Sequence, residues 1–183
     1  MLVAKRTKET NIAEHVIYMF QIEDLIRANN FDLETITHQI ILPQVQDEAL
    51  IEEYKLWYAG FIKEMKNRKL EEKGHLQDVE EVLMELLMLH NTLLNIVQDR
   101  EYADSYEAAL PAIKELQFKS NSSNLNVVEV ALNAMYGKLL LKLKKQPISK
   151  SSEEAFAQIA KMLGNLALNY NKMRKGELNF TQN

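Results

Sequence analysis

The 183-residue chain carries a formal net charge of −4 and contains no cysteine, five glycines and three prolines. Its length suits one domain, the missing cysteines exclude disulfides, thiolate metal ligands and cysteine nucleophiles, and the negative charge disfavours nucleic acid as a partner. Since no apolar stretch reaches the roughly 20 residues of a membrane-spanning helix and the apolar run at the N-terminus is too short for a signal peptide, we expect a cytoplasmic protein.

Seven helices are predicted along the chain, because helix-forming residues are abundant while glycine and proline are scarce. They cover approximately residues 10–29, 32–43, 47–71, 75–98, 99–119, 125–145 and 151–175. Asn11 with Glu14 and Ser151 with Glu154 have the spacing of a capping box, in which two side chains satisfy free backbone N–H groups. These pairs predict the starts of the first and seventh helices.

Several residues are expected to interrupt the helices. Gly74 is predicted to end the third helix, and Pro111, inside the fifth, is predicted to kink or restart it. The segment Lys119–Asn124 has the composition of a flexible loop, and residues 176–183 that of a frayed terminus. The ordered core is therefore predicted to extend from residue 10 to residue 175.

Apolar residues at alternating spacings of three and four predict how the helices pack. The clearest series, on the fourth predicted helix, is Leu76, Val79, Leu83, Leu86, His90, Leu93 and Val97. Such series favour helices that cross at shallow angles, as in bundles. Amphipathic helices on both sides of Lys119–Asn124 bury their apolar faces best against one another, so we predict an all-α fold, a single helical bundle-like domain.

Charged residues interrupt the first predicted helix, which is apolar around much of its circumference. Glu23 and Asp24 lie four and three positions before Arg27, so either carboxylate can pair with the guanidinium. Two interpretations stay open. Arg27 is the anchor of a pocket for a carboxylate or phosphate, or the three residues form a structural ion-pair network.

Histidines supply the second set of candidate site residues. His90 occupies a position in an apolar series where leucine is usual, and His15 lies on an equivalent face of the first helix. Each can serve as an acid–base group, a metal ligand or a hydrogen-bonded core residue. Glu72 and His75 have the Glu-x-x-His spacing of di-iron bundles, but there is one such pair and Gly74 interrupts the helix beneath it.

An aromatic stripe and a basic face are the candidate interfaces. The stripe consists of Tyr54, Trp57, Tyr58 and Phe61 on the third predicted helix, where it follows the spacing of a core or a dimer interface. The basic face consists of Lys138, Lys142 and Lys145. By contrast, residues 76–110 hold eight acidic residues and one arginine, so the basic face of one copy can attract the acidic segment of another.

Four segments carry a resemblance to a known family. They are TNIAEHVIYMFQIEDLIRANNFD (Thr10–Asp32), EKGHLQ (Glu72–Gln77), ALPAIKEL (Ala109–Leu116) and ALNAMYGKLLLKLKKQPIS (Ala131–Ser149). In this order the chain resembles an all-helical bacterial family catalogued as a domain of unknown function, from near Met1 to about Lys175. The resemblance implies a single-domain cytoplasmic bacterial protein, and it supplies no reaction, cofactor or catalytic residue.

Three functional hypotheses follow from the sequence. The first is a non-enzymatic interaction module that associates with itself and needs no cofactor. The second is a small-molecule binding protein or enzyme whose pocket for an anionic ligand is formed by Asp24, Arg27 and His90, with Glu23 and His15. The third is metal binding through His15, His75 or His90.

Overall fold

A computed structural model describes residues 2–120 and 124–178. Part of the predicted loop at Lys119–Asn124 and most of the predicted frayed terminus lie outside these residues. All regular secondary-structure elements within these residues are helices, which confirms the all-α prediction. Leu178, at the end of the described chain, is partly buried against the core.

Eight α-helices are present in the described residues, one more than the sequence predicted. In chain order they are α1 (Leu2–Thr10), α2 (Ile12–Ala28), α3 (Leu33–Ile36), α4 (Glu48–Asn67), α5 (Gln77–Thr92), α6 (Arg100–Lys119), α7 (Val127–Leu143) and α8 (Lys150–Arg174). A π-helical segment extends α3 over Thr37–Ile41, and another extends α5 over Leu93–Val97.

The additional helix is α1, so the folded chain begins before residue 10, where the ordered core was predicted to start. Its sequence is mostly polar, and its apolar positions are too few to predict a packed helix. Ala4 and Thr7 are nevertheless buried where α1 packs against α2. Asn11 then caps α2 by accepting a hydrogen bond from the backbone N–H of Glu14, as its spacing predicts.

Three local predictions need correction. The cap of α8 is Ser149, which accepts from the N–H of Ser152, and not Ser151. Of the kink or restart predicted at Pro111, the restart does not occur, because α6 is one helix from Arg100 to Lys119. Helix α4 ends at Asn67 because Lys69 adopts a left-handed backbone conformation (φ 57°), so Gly74 lies in the following connection, residues 68–76, here named the α4–α5 loop.

A single hydrophobic core joins the helices, and every α-helix contributes buried or partly buried residues to it. Helix α2 lies at its centre, since it packs against α1, α5, α7 and α8. Ile12, Val16 and Ile26 on this helix are completely buried. The arrangement confirms the single bundle-like domain and places α2 among four neighbouring helices. In the part of the chain described, no helix has both the length and the apolar character needed to cross a membrane.

Candidate functional site

Glu23 is the most deeply buried charged residue of α2, with none of its surface exposed. One carboxylate oxygen lies 2.7 Å from Nδ1 of His75, and the other accepts a hydrogen bond from the backbone N–H of Leu76 at 2.7 Å. Both partners belong to the α4–α5 loop. The carboxylate therefore fixes the end of this loop, and with it the start of α5.

Arg27, one turn further along α2, binds the same loop. Its Nε donates to the carbonyl of Leu70 at 3.0 Å, and a terminal nitrogen donates to the carbonyl of Gly74. The other terminal nitrogen pairs with Asp24 at 3.0 Å. Because all three guanidinium nitrogens already have protein acceptors, the geometry favours the structural interpretation of this cluster over an anchor for an anionic ligand.

Two aromatic rings complete this cluster. The imidazole of His75 stacks on Phe20, with ring centroids 4.4 Å apart and an interplanar angle of 22°. The hydroxyl of Tyr136, on α7, donates to the second carboxylate oxygen of Asp24 at 2.7 Å. Burial and this acceptor raise the pKa of the Tyr136 phenol. Sequence reasoning missed Tyr136 as a partner, since 112 positions separate it from Asp24 and no helical spacing connects them.

The Glu23–His75 pair has one feature of hydrolytic sites, in which a carboxylate holds Nδ1 of a histidine and leaves Nε2 free to act as a base. A nucleophile is the other requirement. Among the residues that the structure describes, no serine, threonine or tyrosine hydroxyl is hydrogen-bonded to His75. The contacts of the pair therefore account for the conformation of the loop.

His90 lies in a separate environment at the opposite end of α5. Its Nδ1 is 2.6 Å from the hydroxyl of Tyr102, and its ring meets the edges of Tyr102 and Tyr106. Burial lowers the pKa of His90 and raises that of Tyr102. Leu76, which Glu23 binds, and His90 are separated along α5 by roughly 20 Å at the usual helical rise. The structure therefore does not bring His90 together with Asp24 and Arg27.

The three histidines proposed as metal ligands also lie in three different environments. His15 contacts the carbonyl of Ala4, His75 contacts Glu23, and His90 contacts Tyr102. Across the described ranges, no three His, Asp or Glu side chains are grouped closely enough to hold a metal ion. The geometry therefore gives the metal hypothesis no support.

The aromatic stripe lies at the edge of the core. Tyr58 is buried, while Tyr54, Trp57 and Phe61 are half-buried. Trp57 is central, with its ring 4.7 Å from that of Phe61 and 5.2 Å from that of Tyr58, both in edge contacts. Trp57 and Phe61 also line a cavity of about 330 Å³ that includes His15. Within the stripe, Tyr58 therefore packs into the core, while Trp57 and Phe61 face the cavity.

A larger depression runs along α7, with a volume of about 680 Å³. We name it the α7 groove; its apolar lining is Leu116, Leu125, Val130, Ala134, Gly137, Leu140, Leu141 and Phe156. Helices α6 and α8 supply its walls. Within the described residues, no atom beyond the adjacent backbone of α7 lies within 4 Å of the position that a Cβ on Gly137 would occupy, so the groove is deepest along this glycine. Leu141 and Leu143 remain 36% and 60% exposed.

Two lysines lie at the α7 groove, and two more are exposed near the end of α7. Lys144 lines it directly. Lys138 binds Glu153 at 2.6 Å, lies over the ring of Phe156 and lowers the pKa of the Glu153 carboxyl. Lys142 and Lys145 are exposed, and neither forms a salt bridge within the described residues. Of the predicted basic face, Lys138 thus contacts a residue that lines the groove, and the apolar depression itself is a feature that the sequence did not indicate.

Residues 1–177 match the family described as Domain of unknown function (DUF4924). The chain belongs to this family. Comparison with curated proteins and with solved structures gave no match. Membership in DUF4924 confirms the resemblance to a family of unknown function and assigns no reaction to this chain.

Proposed function

We propose that this DUF4924 chain is a cytoplasmic, non-enzymatic interaction protein that associates with a second copy of itself. In the proposed contact, an exposed face of α5 from one copy docks into the α7 groove of the other. The α7 groove is the observation that carries the proposal. Apolar depressions with a polar rim are typical of surfaces that receive an amphipathic helix.

Helix α5 has a face that suits this groove. Met84 and Met88 are 66% and 64% exposed and lie one turn apart, so they project side by side. Methionine is flexible and fills irregular apolar depressions well. Helices that dock in such grooves use apolar anchors at positions such as i, i+4 and i+7, and Met84 and Met88 have the i, i+4 spacing.

The charges around the two surfaces are complementary. Glu81 and Glu85 flank the methionines; they accept hydrogen bonds from Gln77 and from the hydroxyl of Tyr170, and neither forms a salt bridge in the described part of the chain. Lys144, which lines the groove, forms no salt bridge there either. Opposite charges at the rim speed association and orient the two surfaces.

The proposed contact joins two different surfaces of the molecule. If both copies use both surfaces at once, the assembly closes as a dimer, and otherwise it continues into larger oligomers. Light scattering of the purified protein over a range of concentrations measures which of these forms. A strictly monomeric protein at millimolar concentration would contradict the proposal.

Leu141→Glu tests the apolar part of the contact. A carboxylate in the groove has to be desolvated when a helix docks, so we expect association to weaken roughly tenfold or more. Leu56→Glu is the matched control, since Leu56 is 74% exposed on α4 and lies outside the groove. Equal association of both variants would exclude the groove as the interface.

A charge exchange tests the pairing of α5 with the groove. Glu81→Lys and Lys144→Glu each place like charges across the contact, so each variant alone should associate several-fold more weakly than the natural protein. In a mixture of the two variants every contact between unlike copies has opposite charges again. We therefore expect the mixture to associate, and a mixture that stays as weak as its components would rule out this pairing.

A further inference from the structure

The cavity beside His15 has a different character from the α7 groove. It has a volume of about 330 Å³ and lies between α1, α2, α4 and the beginning of α5. Its lining includes Trp57 and Phe61, His15, Lys5 and Asp78. Apolar walls with a few polar groups, at the lower end of the usual volume range, are typical of sites for small molecules.

The polar group of greatest interest is the imidazole of His15, which is 7% exposed. Its Nδ1 lies 3.0 Å from the carbonyl oxygen of Ala4. A carbonyl only accepts hydrogen bonds, so Nδ1 carries the proton and Nε2 of the neutral ring carries a lone pair. Burial and nearby Lys8 both lower the pKa of His15, which favours this neutral form at pH 7.

Nε2 of His15 is an acceptor with no protein partner in the described residues. No side-chain nitrogen or oxygen that is sealed from solvent there lacks a hydrogen bond. Nε2 must therefore be reached from the cavity. A buried acceptor that opens onto a cavity is well placed to receive an N–H or O–H from a bound molecule.

The aromatic and charged residues that line the cavity indicate which other groups a bound molecule would carry. Trp57 and Phe61 offer half-buried aromatic surface, which favours a planar ring. The charged groups that line the cavity are mostly paired. The Glu64 carboxylate accepts a hydrogen bond from the backbone N–H of Gln77 and forms an ion pair with Arg68. The Asp78 carboxylate lies 3.8 Å from the ammonium of Lys8. Lys5 has no carboxylate partner among the described residues, so the unpaired charge at this cavity is positive.

We propose that this cavity binds a small aromatic acid that carries an N–H or O–H donor. The donor group is accepted by Nε2 of His15, the ring lies against Trp57 and Phe61, and the carboxylate faces Lys5. The site is independent of the α7 groove, because the two linings share no residue. The proposal therefore holds whether or not the chain associates with itself.

The probe for this site is 4-hydroxybenzoate, and NMR is the readout. Trp57 is the only tryptophan of the chain, so its indole N–H gives one resolved signal at the cavity. We expect that signal to shift saturably on titration with 4-hydroxybenzoate. Benzoate, which lacks the donor, and phenol, which lacks the carboxylate, should each bind roughly three- to tenfold more weakly, as expected for loss of one polar interaction.

Two protein variants assign the polar contacts. His15→Phe should weaken 4-hydroxybenzoate three- to tenfold and leave benzoate unchanged, since benzoate makes no hydrogen bond to Nε2. Lys5→Met should weaken both acids and leave phenol unchanged. Lys161→Met, at an exposed position on α8 outside the cavity, is the matched control and should bind all three probes normally.

Two results of the NMR titration would overturn the proposal. Absence of a Trp57 shift at millimolar 4-hydroxybenzoate overturns the proposal, and so does equal affinity for 4-hydroxybenzoate and benzoate. The comparison between these two probes uses the natural protein, so it remains decisive even if His15→Phe disturbs the packing of α1.

Discussion

Glu23 places a fully buried carboxylate between α2 and the α4–α5 loop, where His75 and Leu76 contact its two oxygens. Its environment shows how a residue that looks functional in the sequence can serve the fold. A buried carboxylate is tolerated when both oxygens are hydrogen-bonded. Here 52 positions separate Glu23 from His75, so the contact fixes a loop that has little regular structure.

Removal of the Glu23 carboxylate should lower the free energy of unfolding substantially. Glu23→Ala leaves the N–H of Leu76 without its acceptor and opens a cavity, so we expect a loss of about 2–4 kcal/mol in the free energy of unfolding. Urea denaturation measures this loss. Glu107→Ala, at an exposed position on α6, is the control and should change stability by less than about 0.5 kcal/mol. A Glu23→Ala variant as stable as the control would show that the contacts contribute nothing.

His90 and His15 make stability depend on pH. Burial lowers the pKa of both below the ordinary value of 6.5, so the unfolded chain takes up protons before the folded one. Stability is then fully present above pH 6.5 and falls as the pH decreases below it, by up to about 1.4 kcal/mol per pH unit for each histidine. Urea denaturation at pH 7.5 and 5.0 measures this difference.

His90→Gln isolates one of the two contributions. Glutamine does not titrate and can still hydrogen-bond to the hydroxyl of Tyr102, which is the partner of His90 in the structure. We expect this variant to lose less stability than the natural protein between pH 7.5 and 5.0. An identical loss in both proteins would mean that His90 does not contribute to the pH dependence.

At the scale of elements, the sequence predicted the long helices well because each has a continuous apolar face. It did not predict α1, whose few buried positions carry no clear periodicity. It also misplaced the end of α4, since the left-handed residue is Lys69 and not the more permissive Gly74. The polar contacts of Arg27 and Asp24 reach across the bundle to Leu70 and Tyr136, and helical spacing carries no information on such pairs.

Two glycines offer a matched test of the α4–α5 loop. At Gly74 (φ 93°) a new side-chain carbon would lie 2.8 Å from Cδ2 of Leu70, so Gly74→Ala should destabilise the protein by about 1–3 kcal/mol. Gly60 lies within α4 with free space around it, so Gly60→Ala should stabilise by roughly 0.5–1 kcal/mol. Thermal unfolding of both variants checks these opposite signs, and a shift in the same direction would contradict this description of the loop.

At the scale of the whole molecule, α7 links the fold to the proposed association. Its sequence is largely apolar, and several residues of its first half are buried by neighbouring helices. Among the described residues its second half has less cover, and Leu140 and Leu141 line the α7 groove. Sequence periodicity identifies apolar faces but not the neighbours that cover them, which is why the basic face was predicted and the groove was not.

The proposed contact between α5 and the α7 groove is the central claim, and a spin label measures it directly. The chain has no cysteine, so Asn91→Cys, on the exposed side of α5 one turn beyond Met88, provides a single attachment site. The labelled protein is mixed with ¹⁵N-labelled natural protein, and amide signals broadened by the label report the surface of the other copy. We predict broadening at Leu140, Leu141 and Lys144; no broadening, or broadening confined to residues outside the α7 groove, would contradict the proposed contact.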